Sequence, residues 1–260
     1  MSTTISLAGR LPGLDDLIAA LALADLRVEH NETGIHRFHL DGRSTRVTEV
    51  TIAETFDVRM FSLAAPEDVE LAVRIAECAA SILGVREADA ELVGTLPIGD
   101  LRAEYDADWA ESQARSGVQV MRAMIDQGRG PLQVPGPVRA FCIGPRVLAE
   151  VTGEDEHTRM LAKIRAVQWL RVRTAGVFVA GEDETKLAVW LGEEVVFPPV
   201  AYAAVSREKE VVLVKAEQVA ALAGSHWRPL DEVQGHIAAF AEPAWAAVMA
   251  AARPLSTTMA

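Results

Sequence analysis

Three Gly-Pro dipeptides fall within sixteen residues of this chain: Gly130-Pro131, Gly136-Pro137 and Gly144-Pro145. Each proline fixes its own φ and donates no backbone hydrogen bond, and the residue before it is pushed out of helical geometry. No helix can run through 128–137. The chain is therefore expected to divide there into an acidic half over 1–127, a Gly/Pro-rich connector over 128–137 and a tryptophan-rich half over 138–260.

At 260 residues, half of them apolar and 24% charged, the chain has the makeup of a globular protein able to bury one large core or two modest ones. No N-terminal segment pairs a basic start with an apolar core, and the longest apolar stretches, such as 17–24, are too short to span a bilayer. The expectation is a cytoplasmic protein away from membranes, with Cys78 and Cys142 reduced. Arginine outnumbers lysine 21 to 4 and alanine is abundant, which points to a GC-rich bacterial source.

The net charge of −12 is unevenly shared. Residues 1–130 hold 22 acidic and 12 basic side chains, whereas 131–260 hold 15 and 13. An acidic first half repels phosphate backbones, and no basic stripe interleaved with aromatics appears, so nucleic acid is excluded as an expected partner.

The spacing predicts a helix over 14–24, then strands over 26–30, 35–40, 45–53 and 55–62 joined by links short enough to demand antiparallel hairpins. Pro66–Leu83 reads as a helix. Pro66, Glu67 and Asp68 suit its first turn, Leu71, Ile75, Cys78, Ala79 and Ile82 form an apolar stripe, and Gly84 stops it. A further helical region is expected over 100–127, interrupted at Ser116-Gly117. In the second half, strands are expected over 138–143, 175–180, 186–191, 195–197 and 211–215. Helices are expected over 156–167, 216–223 and 230–252, the last kinked at Pro243. Strands followed by helices in each half predict an α+β fold, two packed halves each with a small, mainly antiparallel sheet and helices on one face.

The sharpest chemical feature is Asp-Leu-Arg-Ala-Glu-Tyr-Asp-Ala-Asp-Trp-Ala-Glu over 100–111. On a continuous helix Asp100, Glu104, Asp108 and Glu111 stack four carboxylates into one stripe, with Leu101, Tyr105 and Trp109 in a parallel row. Like charges at this spacing weaken a helix by a few tenths of a kcal/mol per pair (about 0.2–0.5). Three readings are open: a solvated face with the aromatics turned inward, a surface for a basic partner, or a divalent-cation site. The cation reading needs carboxylates from more than one element.

Other motifs are thinner. His36 and His39 have ligand-like spacing, but three residues apart on a strand they face opposite ways. No nucleophile elbow, Walker lysine, dinucleotide fingerprint or zinc-protease spacing occurs, so neither a cofactor nor a catalytic residue is assigned. Cys78 sits in an apolar stripe and reads as core. A surplus of positive charge at Arg159, Lys163, Arg165, Arg171 and Arg173 would either bind an acidic ligand or face the acidic first half.

The alternating strands and Leu-Ala-Ala-Pro-Glu-Asp helix start within 46–84, with Pro-Gly-Pro-Val-Arg-Ala-Phe-Cys-Ile-Gly-Pro-Arg over 135–146, resemble a group of uncharacterised bacterial proteins known only as a domain of unknown function. That resemblance implies no activity and favours an accessory or immunity-type role. The expected function is thus a non-enzymatic binding module engaging a basic protein through Asp100, Glu104, Tyr105, Asp108, Trp109 and Glu111. The alternatives are a small-molecule enzyme with a carboxylate or metal site in a cleft between halves, and a subunit that self-associates through its second half.

Overall fold

The computed structural model describes residues 2–30, 34–180, 184–207 and 210–252. The chain forms two compact units, Met1–Trp169 and Leu170–Ala260. The Gly/Pro-rich segment 128–137 therefore lies inside the first unit, and the expected boundaries at 127 and 138 are not where the units divide. Gln168 supplies the reason. Its fully buried side chain accepts from the amides of Val138 and Arg139, both at 3.0 Å, and donates to the Arg139 carbonyl at 2.6 Å. These bonds tie the Gly-Pro segment to the helix that ends the unit.

In chain order the first unit contains β1 (Ser2–Ala8), α1 (Leu14–Leu21), β2 (Leu26–His30), β3 (Ile35–Leu40), β4 (Thr48–Ile52), β5 (Thr55–Phe61) and α2 (Pro66–Leu83). There follow β6 (Glu87–Ala90), β7 (Gly94–Pro97), α3 (Leu101–Glu104), α4 (Ala107–Asp126), β8 (Leu132–Val134), β9 (Phe141–Ile143), α5 (Pro145–Val151) and α6 (Glu156–Gln168). β1 to β7 make one antiparallel sheet in the order β2-β3-β4-β5-β1-β6-β7. The sequence reading had no strand over β1, yet this one occupies an interior position between β5 and β6.

Alternation decides which face is buried. Ile5, Val50 and Val58 stand in cross-strand register and are fully buried, while Glu49 and Arg59, one residue away, face each other on the other side. α2 lays Leu71, Ala72, Ile75, Ala76 and Ala79 on the buried face, the leucine and isoleucine each contributing about 1.5–3 kcal/mol and each alanine methyl about 0.8 kcal/mol. His36 aligns with Val50 and His39 with Arg27, so the two histidines point to opposite faces.

A buried polar knot fixes the start of α2. The Asp68 carboxylate is 2% exposed, and its Oδ2 accepts from the amides of Thr45 (3.0 Å), Arg46 (3.1 Å) and Ala65 (2.9 Å) and from the Thr45 hydroxyl (2.8 Å). One side chain thus satisfies a helix-start amide and pins the loop after β3 against it. The Arg46 guanidinium, 5% exposed, donates to the Ser62 carbonyl and lies 5.0 Å from the Phe61 ring centre.

The second unit contains β10 (Val177–Ala180), β11 (Thr185–Trp190), β12 (Val195–Phe197), β13 (Tyr202–Arg207), β14 (Glu210–Lys215), α7 (Ala216–Ala223), β15 (Trp227–Pro229), β16 (Gly235–Ile237) and α8 (Glu242–Ala251). A four-stranded sheet runs β10-β11-β13-β14, with β11 and β13 parallel, and a three-stranded antiparallel sheet runs β12-β16-β15. The fold is α+β with mainly antiparallel sheets, as expected. α7 and α8 pack on the four-stranded sheet, burying Ala188, Trp190, Ala203, Val205 and Val214 against Val219, Ala223, Trp245, Val248 and Met249. The rings of Trp190 and Trp245 meet edge-on at 4.8 Å.

The helix expected over 230–252 is corrected to a strand, β16, followed by the shorter α8. Pro243 stands in the first turn of α8, where its missing N–H costs nothing, and it kinks no longer helix. Gly235 in β16 lies so close to the Trp227 indole that an added Cβ would sit 2.2 Å from a ring carbon.

Candidate functional site

The acidic run over 100–111 is not one helix. Asp100 ends a 3-10 turn (Ile98–Asp100), α3 stops at Glu104, and the backbone turns at Tyr105 and Asp106 before α4 begins. Asp106 causes the break: its extended backbone and its Oδ1, which accepts from the Trp109 amide at 2.8 Å, make it the N-cap of α4. Asp100 and Glu104 thus belong to one helical segment, Asp108 and Glu111 to the next. The expected interruption at Ser116-Gly117 is absent, because Gly117 lets α4 approach β5's end closely: a Cβ there would lie 3.2 Å from Ser62 Cβ.

The aromatic pair is turned inward. Tyr105 is 3% exposed, Trp109 is half-buried, and their rings meet edge-on at 4.9 Å as part of the first unit's core. Neither is an exposed anchor: of the readings open from sequence, the aromatics take the inward one. Burial, with Glu104 and Glu91 nearby, pushes the Tyr105 phenol up to about 12. Its hydroxyl has no hydrogen-bond partner among the described residues.

What the break creates is a groove. One cavity of about 410 Å³ is lined by Pro66, Glu67, Glu70, Val73, Arg102, Tyr105, Asp106 and Ala107. A second of about 370 Å³, lined by Asp108, Glu111, His157, Leu161 and Arg165 among others, shares Pro66, Glu67 and Ala107 with it. The start of α2 forms the common wall, α3 and α4 the second wall, and α6 the far end.

The groove's charges are unequal. Glu67, Glu70, Asp106, Asp108 and Glu111 line it, against Arg102 and Arg165. Both arginines are already engaged: Arg102 grips Glu77 through two bonds of 2.7 and 2.6 Å, and Arg165 meets Glu67 at 2.9 Å. Glu111 accepts from Arg115 at 2.6 Å and lies 3.2 Å from Nε2 of His157, a buried side chain. Glu70 and Asp108 are exposed and form no ion pair among the described residues.

Of the residues singled out from sequence, then, Asp108 and Glu111 line the groove from its rim, and Tyr105 lines it from within the core. Asp100, Glu104 and Trp109 do not line it. Glu67, Glu70 and His157 were missed as site residues, and of these only Glu67 carried a local signal, its place in a helix's first turn; Arg165 stands out from sequence only as part of the basic cluster. The basic cluster is largely spent locally: Lys163 pairs with Glu150, Arg173 with Glu193, and Arg165 alone of these reaches the acidic residues of α2.

Burial raises the Cys78 thiol above its ordinary 9.0, and Cys142 is 4% exposed, so neither is placed as a nucleophile. Among the described residues no three His, Cys, Asp or Glu side chains converge as metal ligands, and no helix is long and apolar enough to cross a membrane. Comparisons with protein-family models, with curated proteins and with solved structures find no match for this chain.

Proposed function

We propose that this chain is a protein-binding module, of immunity or adaptor type, that holds an arginine- or lysine-bearing segment of a basic partner in the groove between α2, α3, α4 and α6. The observation that carries this reading is the excess of carboxylates around the groove, with its two arginines already engaged by Glu77 and Glu67. Pro66, Val73 and Leu161 offer apolar wall for the aliphatic stem of a long basic side chain, whose charged end would meet Glu70 or Asp108. A bacterial cytoplasmic setting belongs to the same proposal. The reading keeps the basic partner expected from sequence but replaces the aromatic anchors with a groove.

The test is binding of a fluorescent arginine-rich peptide and of proteins captured from bacterial lysate, for wild type beside a Glu70→Lys, Asp108→Lys double variant. Both positions are exposed and form no ion pair among the described residues, so the variant should fold. Binding by wild type alone, weakening steeply with salt, is the expected result. Equal binding by both proteins, or none by either, sinks the proposal.

One observation favours an enzyme instead: the buried His157 imidazole beside Glu111 at the wall of the smaller cavity, a pairing suited to proton transfer. A small-molecule turnover abolished by His157→Gln, with peptide binding absent, would establish that alternative.

A further inference from the structure

The four-stranded sheet of the second unit has an outer face that a solvated sheet should not have. α7 and α8 cover one side, and alternation puts Phe178, Leu187, Val189, Tyr202, Ala204, Val211 and Leu213 on the other. Phe178 stands directly across from Leu187, Leu187 beside Tyr202, and Ala204 across from Leu213, so the apolar side chains are contiguous. Phe178 is 57% exposed, Val211 60% and Leu213 43%; Leu191, 52% exposed, continues the row past the end of β11. Antiparallel sheets with one wet face ordinarily alternate apolar with polar. Here Thr185, Ser206 and Lys215 are the polar residues on that face, and Lys215 lies 3.7 Å from Glu217 at its rim.

We infer that this face is a homodimer interface, two copies of the chain packing sheet against sheet about a two-fold axis. The area decides between occupants. The side chains named leave on the order of 500 Å² of apolar surface open, at the upper end of what a monomer shows. A homodimer interface of standard size takes about 800 Å² from each copy, about two thirds of it apolar, which is the same quantity. A two-fold contact must be complementary to itself, which an apolar face is and an acidic groove is not. The chain's net charge of −12 opposes association elsewhere, whereas among the described residues the charged side chain on this face is Lys215, already beside Glu217. One lysine at the rim is too little positive charge to hold an anionic lipid surface.

The experiment is light scattering on the full chain at about 100 µM, in the range where weak dimers are populated, with Phe178→Glu and Val211→Glu at opposite ends of the face. Val120→Glu on α4, 40% exposed, adds the same charge in the other unit and serves as control. Tryptophan emission verifies that each variant keeps its second unit folded. The expected result is a mass of twice 28.0 kDa for wild type and control. Each face variant should be monomeric, its dimer dissociation constant raised by about a hundredfold or more. A monomeric wild type overturns the inference, and flotation of that monomer with anionic vesicles would reassign the face to lipid. A dimer that survives either glutamate also overturns it.

Discussion

Replacing Asp68 with alanine removes the one acceptor shared by the Thr45, Arg46 and Ala65 amides and the Thr45 hydroxyl. Two of those donors keep a second acceptor: the Thr45 hydroxyl has the Leu63 carbonyl at 2.9 Å, and the Ala65 amide has the Thr45 hydroxyl oxygen at 2.9 Å. A buried donor left without a partner costs about 1–3 kcal/mol, so the Thr45 and Arg46 amides set a gross loss of about 2–6 kcal/mol. Water entering the vacated space and the relief of a buried charge offset part of that, leaving about 1–4 kcal/mol. With about 2–4 °C lost per kcal/mol at this size, the first unit's melting point should fall by roughly 2–16 °C. The sharper assay is hydrogen exchange at the Thr45 and Arg46 amides, which should lose protection together. Asp68→Asn keeps an acceptor oxygen and should lose less than half as much. A pH series adds a sign. Burial raises the Asp68 carboxyl above its ordinary 3.8, against hydrogen bonds from Ser44, Thr45 and Ala65, so the native state holds the proton to higher pH than the unfolded chain does. Stability from this group is then fully present below 3.8 and declines as pH rises through the raised native value. The advantage of wild type over Asp68→Ala should therefore grow on acidification. A loss under about 1 kcal/mol, or an advantage that shrinks in acid, would refute the account of this knot.

Gly235→Ala should destabilise the second unit by about 1–3 kcal/mol, because the Trp227 indole must move; a blue- or red-shifted tryptophan emission accompanying the loss would locate it there. Gln168→Ala should cost about 2–4 kcal/mol by removing its buried bonds to the Val138 and Arg139 amides and the Arg139 carbonyl, read as increased proteolysis within 128–140. Arg165→Ala removes a half-exposed ion pair and should change stability by no more than about 1 kcal/mol, yet it should tighten binding of an arginine-rich peptide by making the groove more acidic.

α2 was readable residue by residue, since Pro66, Glu67 and Asp68 start it, its stripe repeats at helical spacing and Gly84 ends it in a left-handed conformation. The hairpins through β2 to β5 were readable because their pairing is local. β1 was not: Ser-Thr-Thr-Ile-Ser-Leu-Ala holds two large apolar residues, and its partners lie some fifty and eighty residues onward. The elbow at Tyr105–Asp106 turned on a competition the pattern could not decide, between a continuous helical stripe and an aspartate that caps. The alanine-rich run before α8 looked helical, but Gly235 pairs with both Phe197 and Pro229, and that tertiary demand outweighed propensity. The groove was hidden for a similar reason. His157 and Arg165 reach Glu111 and Glu67 only because α6 packs on α4 and α2 begins nearby.

The interior place of β1 also sets the order in which the first unit can be assembled. The strand leaves the ribosome before its partners, for 46 residues separate Ala8 from Thr55 of β5, and β6 comes later still. Ile5 and Leu7 have no sheet to enter until then, and both edges of β1 stay open. Closing this sheet is a long-range event, slow by comparison with the local hairpins of β2 to β5. The nascent chain therefore passes through a stage in which its β1, already made, waits for β5, with Ile5 and Leu7 unburied until the meander is complete.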